Sequence, residues 1–284
     1  MKKIGNGIFV ETDYTCVTVG AVLTGKGWVC IDTPTYPHDA RAWREQLRTM
    51  ADKPILYVIN TDAHRDRILC NGLFGRAVVA HECAARKMLS LNHTFISQAA
   101  EDFAANEGER LEFAGLSVAP PQISFSDSLT LLCGNREITL LGRPGASAGS
   151  AWVIFPEAQV LFTGDTIVLG VHPYMEDCLS KLWLNALGEL RNKFDGWTLV
   201  PGRGPITDAS ATEPLSDYVR GVRRRVASHR RAGRPRSEIG SLVEEFLECF
   251  PIPPHQREGV QRRIKAGLDA IYDEYEALGE EEET

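Results

Sequence analysis

An apolar run that leads directly into a polar run is the feature that most constrains how this chain can fold. Residues 54–59 (PILYVI) predict a fully buried strand, because the run is apolar on both faces. Residues 60–67 (NTDAHRDR) follow without a linker. Polar side chains just beyond a strand end project into a shared crevice. The sequence therefore predicts a site with Asp62, His64 and Asp66 at the end of a buried strand.

Further strands are expected on both sides of this site. Residues 8–31 alternate β-branched runs around a Gly25-Lys26-Gly27 turn, which is typical of antiparallel strands. Apolar residues at helical intervals predict a helix over residues 38–50. Four more strands are predicted from apolar runs bounded by Gly, Asn or Pro, at residues 129–133, 138–141, 152–155 and 160–162.

The composition changes after Pro205, where strand patterns give way to helical ones. We expect one large domain over residues 1–210 and a C-terminal helical extension over residues 211–284. Arginines concentrate between residues 220 and 236, but acidic residues flank them. Such a run usually forms a solvated helix face rather than an anion-binding patch.

Composition narrows the class of protein and of partner. A net charge of -7 argues against a nucleic-acid binder, because phosphate neutralisation needs a basic surface. The first residues lack the apolar core of ~7–15 residues found in a signal peptide. An uninterrupted apolar stretch of ~18–20 residues, which a membrane helix requires, is also missing from the sequence. We expect a cytoplasmic protein without nucleic-acid or membrane partners.

Three further motifs follow in order: residues 142–150 (GRPGASAGS), 161–166 (LFTGDT) and 200–205 (VPGRGP). With residues 60–67 and an I-D-T strand end at 31–33, they resemble the metallo-β-lactamase superfamily. That family carries T-H-x-H-x-D-H, a P-G-H-T-x-G-S-like loop, L-F-x-G-D and P-G-H-G-P. The resemblance covers roughly residues 5 to 207. It implies an α+β, four-layer αβ/βα sandwich with helices outside two mixed sheets, and an ancestry of metal-dependent hydrolysis.

The resemblance also implies seven metal-ligand positions, four of which carry a different residue type here. His64, Asp66 and Asp165 are retained, and Asp165 takes the place of the carboxylate that bridges two metals. Asp62 replaces a histidine with another possible ligand. The remaining positions hold residues that cannot ligate a divalent cation, namely Arg67, Ala146 and Arg203.

Charge favours loss of the metal centre. The carboxylates at these positions number three, and Arg67, Arg203 and a protonated His64 would balance them without metal. A cation about 4 Å from a guanidinium would meet a repulsion of about 4 kcal/mol per unit charge at an effective dielectric near 20. The leading hypothesis is therefore a protein of hydrolase ancestry whose dinuclear centre is largely lost. It would be catalytically altered or inactive, with an arginine- and carboxylate-lined pocket.

A hydrolase that uses one metal is the alternative. Asp62, His64 and Asp165 would hold Zn, Mn or Fe, and at most one such divalent cofactor is expected. The orientation of Arg67 and Arg203 distinguishes the two hypotheses, because inward-facing guanidiniums would repel the ion.

His172 is a further pocket candidate. It follows the Asp165 strand in a loop that borders the active-site mouth in the family. The expected ligand of such a pocket is a small molecule or an anion, and the sequence leaves open a homodimer contact through the extension.

Overall fold

The structure is a computed structural model that describes residues 1–75, 77–252 and 256–282. Its strands are β1 (Lys2–Gly5), β2 (Ile8–Glu11), β3 (Val19–Leu23), β4 (Trp28–Ile31), β5 (Ile55–Asn60), β6 (Ala77–His81), β7 (Ile123–Phe125), β8 (Ser128–Cys133), β9 (Arg136–Gly142), β10 (Ala151–Phe155), β11 (Val160–Val168) and β12 (Thr198–Arg203). Its α-helices are α1 (Pro37–Met50), α2 (Arg65–Ile68), α3 (Asn71–Phe74), α4 (Glu82–Leu89), α5 (Phe95–Phe103), α6 (Glu107–Ala114), α7 (Ser180–Lys193), α8 (Thr212–Arg231), α9 (Val243–Leu247) and α10 (Arg257–Glu282).

The strands form two mixed sheets. The first has the order β1-β2-β3-β4-β5-β6-β7, antiparallel up to β4 and parallel from β4 to β7. The second has the order β12-β11-β10-β9-β8, and its β11–β12 pair is parallel. Because neighbouring parallel strands end at the same sheet edge, the residues that follow β4 and β5 meet, as do those near the ends of β11 and β12.

Apolar clusters fill the spaces between four layers. Val29 and Ile59 of the first sheet face Val153 and Phe162 of the second. Trp43 of α1 packs on the outer face of the first sheet. On the outer face of the second sheet lies a cluster that includes Trp183 of α7, Val219 of α8 and Leu268 of α10. The predicted four-layer αβ/βα sandwich is confirmed.

Individual elements also agree with the sequence patterns. The helix predicted over residues 38–50 is α1, and the four apolar runs predicted as strands are β8, β9, β10 and β11. The buried strand predicted before the polar run is β5.

The C-terminal helices share an apolar core with the second sheet, because α8, α9 and α10 contribute to the same cluster as α7 and β11. Several arginines of this region form ion pairs. Arg225 donates to Glu245 at 2.6 Å, and Arg236 donates to Asp273 at 2.6 Å. The boundary at residue 210 remains a prediction. Within the described residues, none of the helices combines the length and apolarity needed to cross a bilayer.

Candidate functional site

The polar run after β5 folds into a tight turn that leads into α2. Asp62 Oδ1 accepts a hydrogen bond from the His64 backbone N–H at 2.8 Å. Asp32, which follows β4, has a positive φ of 55°. Its carboxylate accepts from the Thr61 backbone N–H at 2.9 Å and from the Thr61 hydroxyl at 2.6 Å. Carboxylates at the ends of two parallel strands are thereby fixed beside each other.

The second sheet contributes Asp165 from β11 and Arg203 from the end of β12. Gly202 permits their approach, because a Cβ there would lie 2.1 Å from Asp165 Oδ1. Glycine is the residue that allows such close contact between backbone and side chain.

Arg67 is completely buried at the centre of the site. Its Nη1 donates to the Thr61 hydroxyl at 2.8 Å and to Asp32 Oδ2 at 3.2 Å. Its Nε lies 3.1 Å from Asp62 Oδ1, and its Nη2 donates to Asp165 Oδ1. One guanidinium therefore joins three carboxylates from both sheets.

Arg203 occupies the other side of Asp165. Its Nε and Nη2 donate to Asp165 Oδ2 at 3.2 and 3.0 Å. Its Nη1 donates to Asp66 Oδ2 and to the backbone carbonyl of Cys16. Cys16 has a positive φ of 73°, a backbone conformation that is uncommon for a non-glycine residue.

His64 completes the cluster. Its Nδ1 lies 2.9 Å from Asp62 Oδ2 and 3.0 Å from Asp165 Oδ2. Burial lowers the pKa of His64, but these two carboxylates outweigh it and raise the pKa to about 10. His64 is therefore a third cation at neutral pH.

Burial and the neighbouring cations shift the pKa values of the carboxylates. Burial alone would raise the pKa of Asp165, but Arg203 and Arg67 hold it well below its usual range. Asp32 differs, because burial raises its pKa to about 6 despite the opposing effect of Arg67. The cluster is thus an ionised network at neutral pH.

The site is closed. The ring centroid of Tyr174 lies 4.2 Å from the guanidinium carbon of Arg203 and 5.5 Å from the ring centroid of His64. The predicted pocket is thus a buried cluster, with exposures of 0% for Asp62 and Arg67, 1% for Asp165, 2% for Asp66, 5% for His64 and 6% for Arg203.

Two predicted positions lie apart from this network. His172 Nε2 is 3.2 Å from the carbonyl oxygen of Leu247, and its ring contacts Phe250 with centroids 5.0 Å apart. The loop that carries His172 thus directs this ring toward the C-terminal helices, while Tyr174 reaches the cluster. Ala146 is buried in the apolar cluster around the second sheet.

Asp32 and Tyr174 contact the site, although neither was predicted from the sequence as a site residue. The I-D-T strand end contains Asp32, and its position before a parallel neighbour of β5 could have indicated the contact. For Tyr174 the only indication was its loop, which was expected to border the mouth.

The sequence profile of the metallo-beta-lactamase superfamily matches residues 15–207. The chain belongs to this superfamily. No curated protein matches it in sequence.

Solved structures share the fold. A metallo-beta-lactamase from Pontibacter korlensis is 19% identical, with a TM-score of 0.60 over 77% of this chain and 97% of that one. A metallo-beta-lactamase family protein from Thermus thermophilus is 20% identical, with a TM-score of 0.67 over 97% of this chain and 94% of that one. The second similarity therefore extends into the C-terminal helices.

The dinuclear centre implied by the superfamily does not fit these residues. Both oxygens of Asp165, at the bridging position, accept hydrogen bonds from guanidinium groups. Guanidinium nitrogens are donors without a free lone pair for a metal. Donor atoms of Asp62, His64 and Asp165 lie within 4.8 Å of one another, which is compatible with a single ion. The Arg67 guanidinium directly beside them opposes even that ion by Coulomb repulsion.

Proposed function

We propose that this chain is a metal-independent member of the metallo-β-lactamase superfamily that does not hydrolyse substrates through a dinuclear centre. Arg67, Arg203 and protonated His64 take the electrostatic place of two metals, and the network holds the ends of the two sheets together. The fold then acts as a cytoplasmic scaffold for a small-molecule or anionic ligand, without nucleic-acid or membrane partners.

The double engagement of Asp165 carries this proposal. Arg67 approaches one carboxylate oxygen and Arg203 the other. Two cations beside a single carboxylate supply positive charge where two bridged metals would otherwise supply a larger one. The substitution is therefore complementary in charge and not a random loss of ligands.

Elemental analysis of protein purified without added chelator or metal tests the proposal. We expect well below one equivalent of Zn, Mn or Fe per chain, and background hydrolysis of β-lactams, thioesters and phosphodiesters. Two equivalents at full occupancy, or chelator-sensitive turnover, would contradict it.

Restoring the ligands provides the converse test. We expect the combined variant Asp62→His, Arg67→His, Ala146→His and Arg203→His to bind metal if the loops have kept their geometry. A folded variant that takes up no metal would show that more than the ligand identities has changed. The matched control is a variant with only Ala146→His, which leaves both guanidiniums in place.

A one-metal hydrolase is the second candidate. It is favoured by the spacing of Asp62, His64 and Asp165, whose donor atoms lie within 4.8 Å of one another. These residues would hold one divalent ion, which would supply Lewis-acid activation of water when bound. One full equivalent of metal that is lost on His64→Ala, together with metal-dependent turnover, would favour this candidate over the first.

A further inference from the structure

Residues 169–179, between β11 and α7, lie over the ionic cluster and are called the cover segment here. Tyr174 of this segment is half-buried against Arg203 and His64. Burial raises the pKa of its hydroxyl, so the ring is an uncharged lid on the cluster at neutral pH. Whatever holds Tyr174 in place therefore controls access to the former metal site.

The C-terminal helix α10 contacts Tyr174 through Arg263. The guanidinium carbon of Arg263 lies 4.8 Å from the centroid of the Tyr174 ring. Arg263 is half-buried, and in the part of the chain that the structure describes no carboxylate pairs with it within 4 Å. Its guanidinium instead lies over the Tyr174 ring in a cation–π contact.

A second contact between α10 and the cover segment is one of close packing. Gly267 of α10 packs directly on the cover segment, because a Cβ at this position would lie 2.6 Å from the Cβ of Met175. Met175 is 4% exposed where it packs against α10. A glycine in the middle of a helix costs stability relative to alanine, so its presence here is accounted for by the close approach.

The net charge of the ionic cluster also favours the contact between Arg263 and the cover segment. The carboxylates of the cluster are Asp32, Asp62, Asp66 and Asp165, one more than the cations Arg67, Arg203 and protonated His64. Arg263 brings a further positive charge from outside the cluster. Its approach is therefore favoured by the net charge beneath the cover segment.

We propose that α10 is a latch: Arg263 on Tyr174 and Gly267 on Met175 hold the cover segment closed over the ionic cluster, and the cluster becomes accessible only when α10 moves. The latch does not depend on whether the cluster binds metal. It makes the C-terminal extension a regulatory element of the site rather than a separate module.

Cys16 is a reporter of opening. Its backbone carbonyl accepts from Arg203 inside the cluster, and its side chain is neither fully buried nor exposed. The rate at which a thiol reagent labels Cys16, read by mass spectrometry of its peptide, measures how often the cover opens. Cys83 in α4 has intermediate exposure and serves as the reference within the same molecule.

Arg263→Ala should raise the labelling rate of Cys16 by about 5- to 30-fold, the factor by which a partly desolvated cation–π contact shifts an opening equilibrium. Gly267→Ala should also raise it, because the added methyl group displaces α10 from Met175. The controls are Arg262→Ala, an exposed neighbour, and Gly259→Ala, where an added Cβ would lie 3.9 Å from a flexible arginine side chain. Both controls should leave the rate unchanged.

Unchanged labelling of Cys16 in both Arg263→Ala and Gly267→Ala would overturn the latch. Equal increases at Cys16 and Cys83 would overturn it as well, since they would show that α10 stabilises the whole fold rather than the cover. The two variants act through different contacts, so a folding defect in one leaves the other as a test.

Discussion

Replacing Arg203 by alanine removes the cation shared by two buried carboxylates. Asp165 would keep Arg67 and His64 as partners. Among the described residues, Asp66 would keep only Arg67 Nε as an ion-pair partner, at 4.0 Å. The uncompensated charge therefore falls on Asp66, which is 2% exposed. Leaving a buried carboxylate without its partner typically costs ~3–5 kcal/mol, and we expect Arg203→Ala to lower the free energy of unfolding by about that amount.

Urea unfolding, with reversibility established first, measures this loss. Arg41→Ala is the control, because its ion pair with Glu112 at 2.6 Å is half-exposed. Removal of such a surface pair should cost only ~0–1 kcal/mol. A loss at Arg203 as small as that at Arg41 would refute the inference that the cluster replaces metals in holding the sheets together.

A double-mutant cycle identifies the orphaned charge. Adding Asp66→Ala to Arg203→Ala removes the unpaired carboxylate, so the second substitution should cost much less than it does alone. The coupling between Arg203 and Asp165 should be smaller, because Asp165 retains two other cations. Additive losses for the Asp66 pair would refute the reasoning.

Other perturbations test separate parts of the structure. Because the pKa of His64 is raised from 6.5 to about 10, its protonation stabilises the fold fully below pH 6.5, and this stability is lost as the pH rises through 10. The unfolding free-energy difference between the wild type and His64→Gln should therefore shrink over that range, and a constant difference would contradict the assignment. Gly202→Ala should lower the free energy of unfolding, measured in denaturant, by ~1–3 kcal/mol or more, because the added Cβ would clash with Asp165. Gly188→Ala is the control, since a Cβ there would meet nothing within 4 Å. Glu274→Ala should speed hydrogen exchange of the Ser180 and Lys181 amides, which donate to Glu274 at 3.2 and 3.1 Å; unchanged exchange would show that this cap is dispensable.

The fold could be predicted because local patterns and family motifs pointed to the same architecture. The apolar run before the polar turn is β5, and a run with helical spacing is α1. Neither needs knowledge of distant contacts. The order of motifs then assigned both sheets, since the turn after β5 and the end of β12 must converge in that fold.

The burial of the site could not be predicted from local sequence patterns. Arg67 and Arg203 were recognised as substitutions at ligand positions, but their inward orientation depends on packing between two sheets. Tyr174 and Arg263 are 89 positions apart in the numbering and meet only because α10 docks beside the cover segment. No periodicity in the sequence encodes such a contact, and the same loop could equally have presented His172.

A guanidinium can supply part of the positive charge of a divalent metal ion without its reactivity. It donates hydrogen bonds in fixed directions and stays protonated, which suits a permanent bridge between carboxylates. It has no vacant coordination position, however, and so cannot polarise water as a divalent cation does. If the proposal holds, the substitutions at Arg67 and Arg203 preserve the force that joins the two sheets while removing the chemistry. Selection for the fold alone would then be sufficient to keep the carboxylates in place, because each arginine makes its partner aspartate costly to lose.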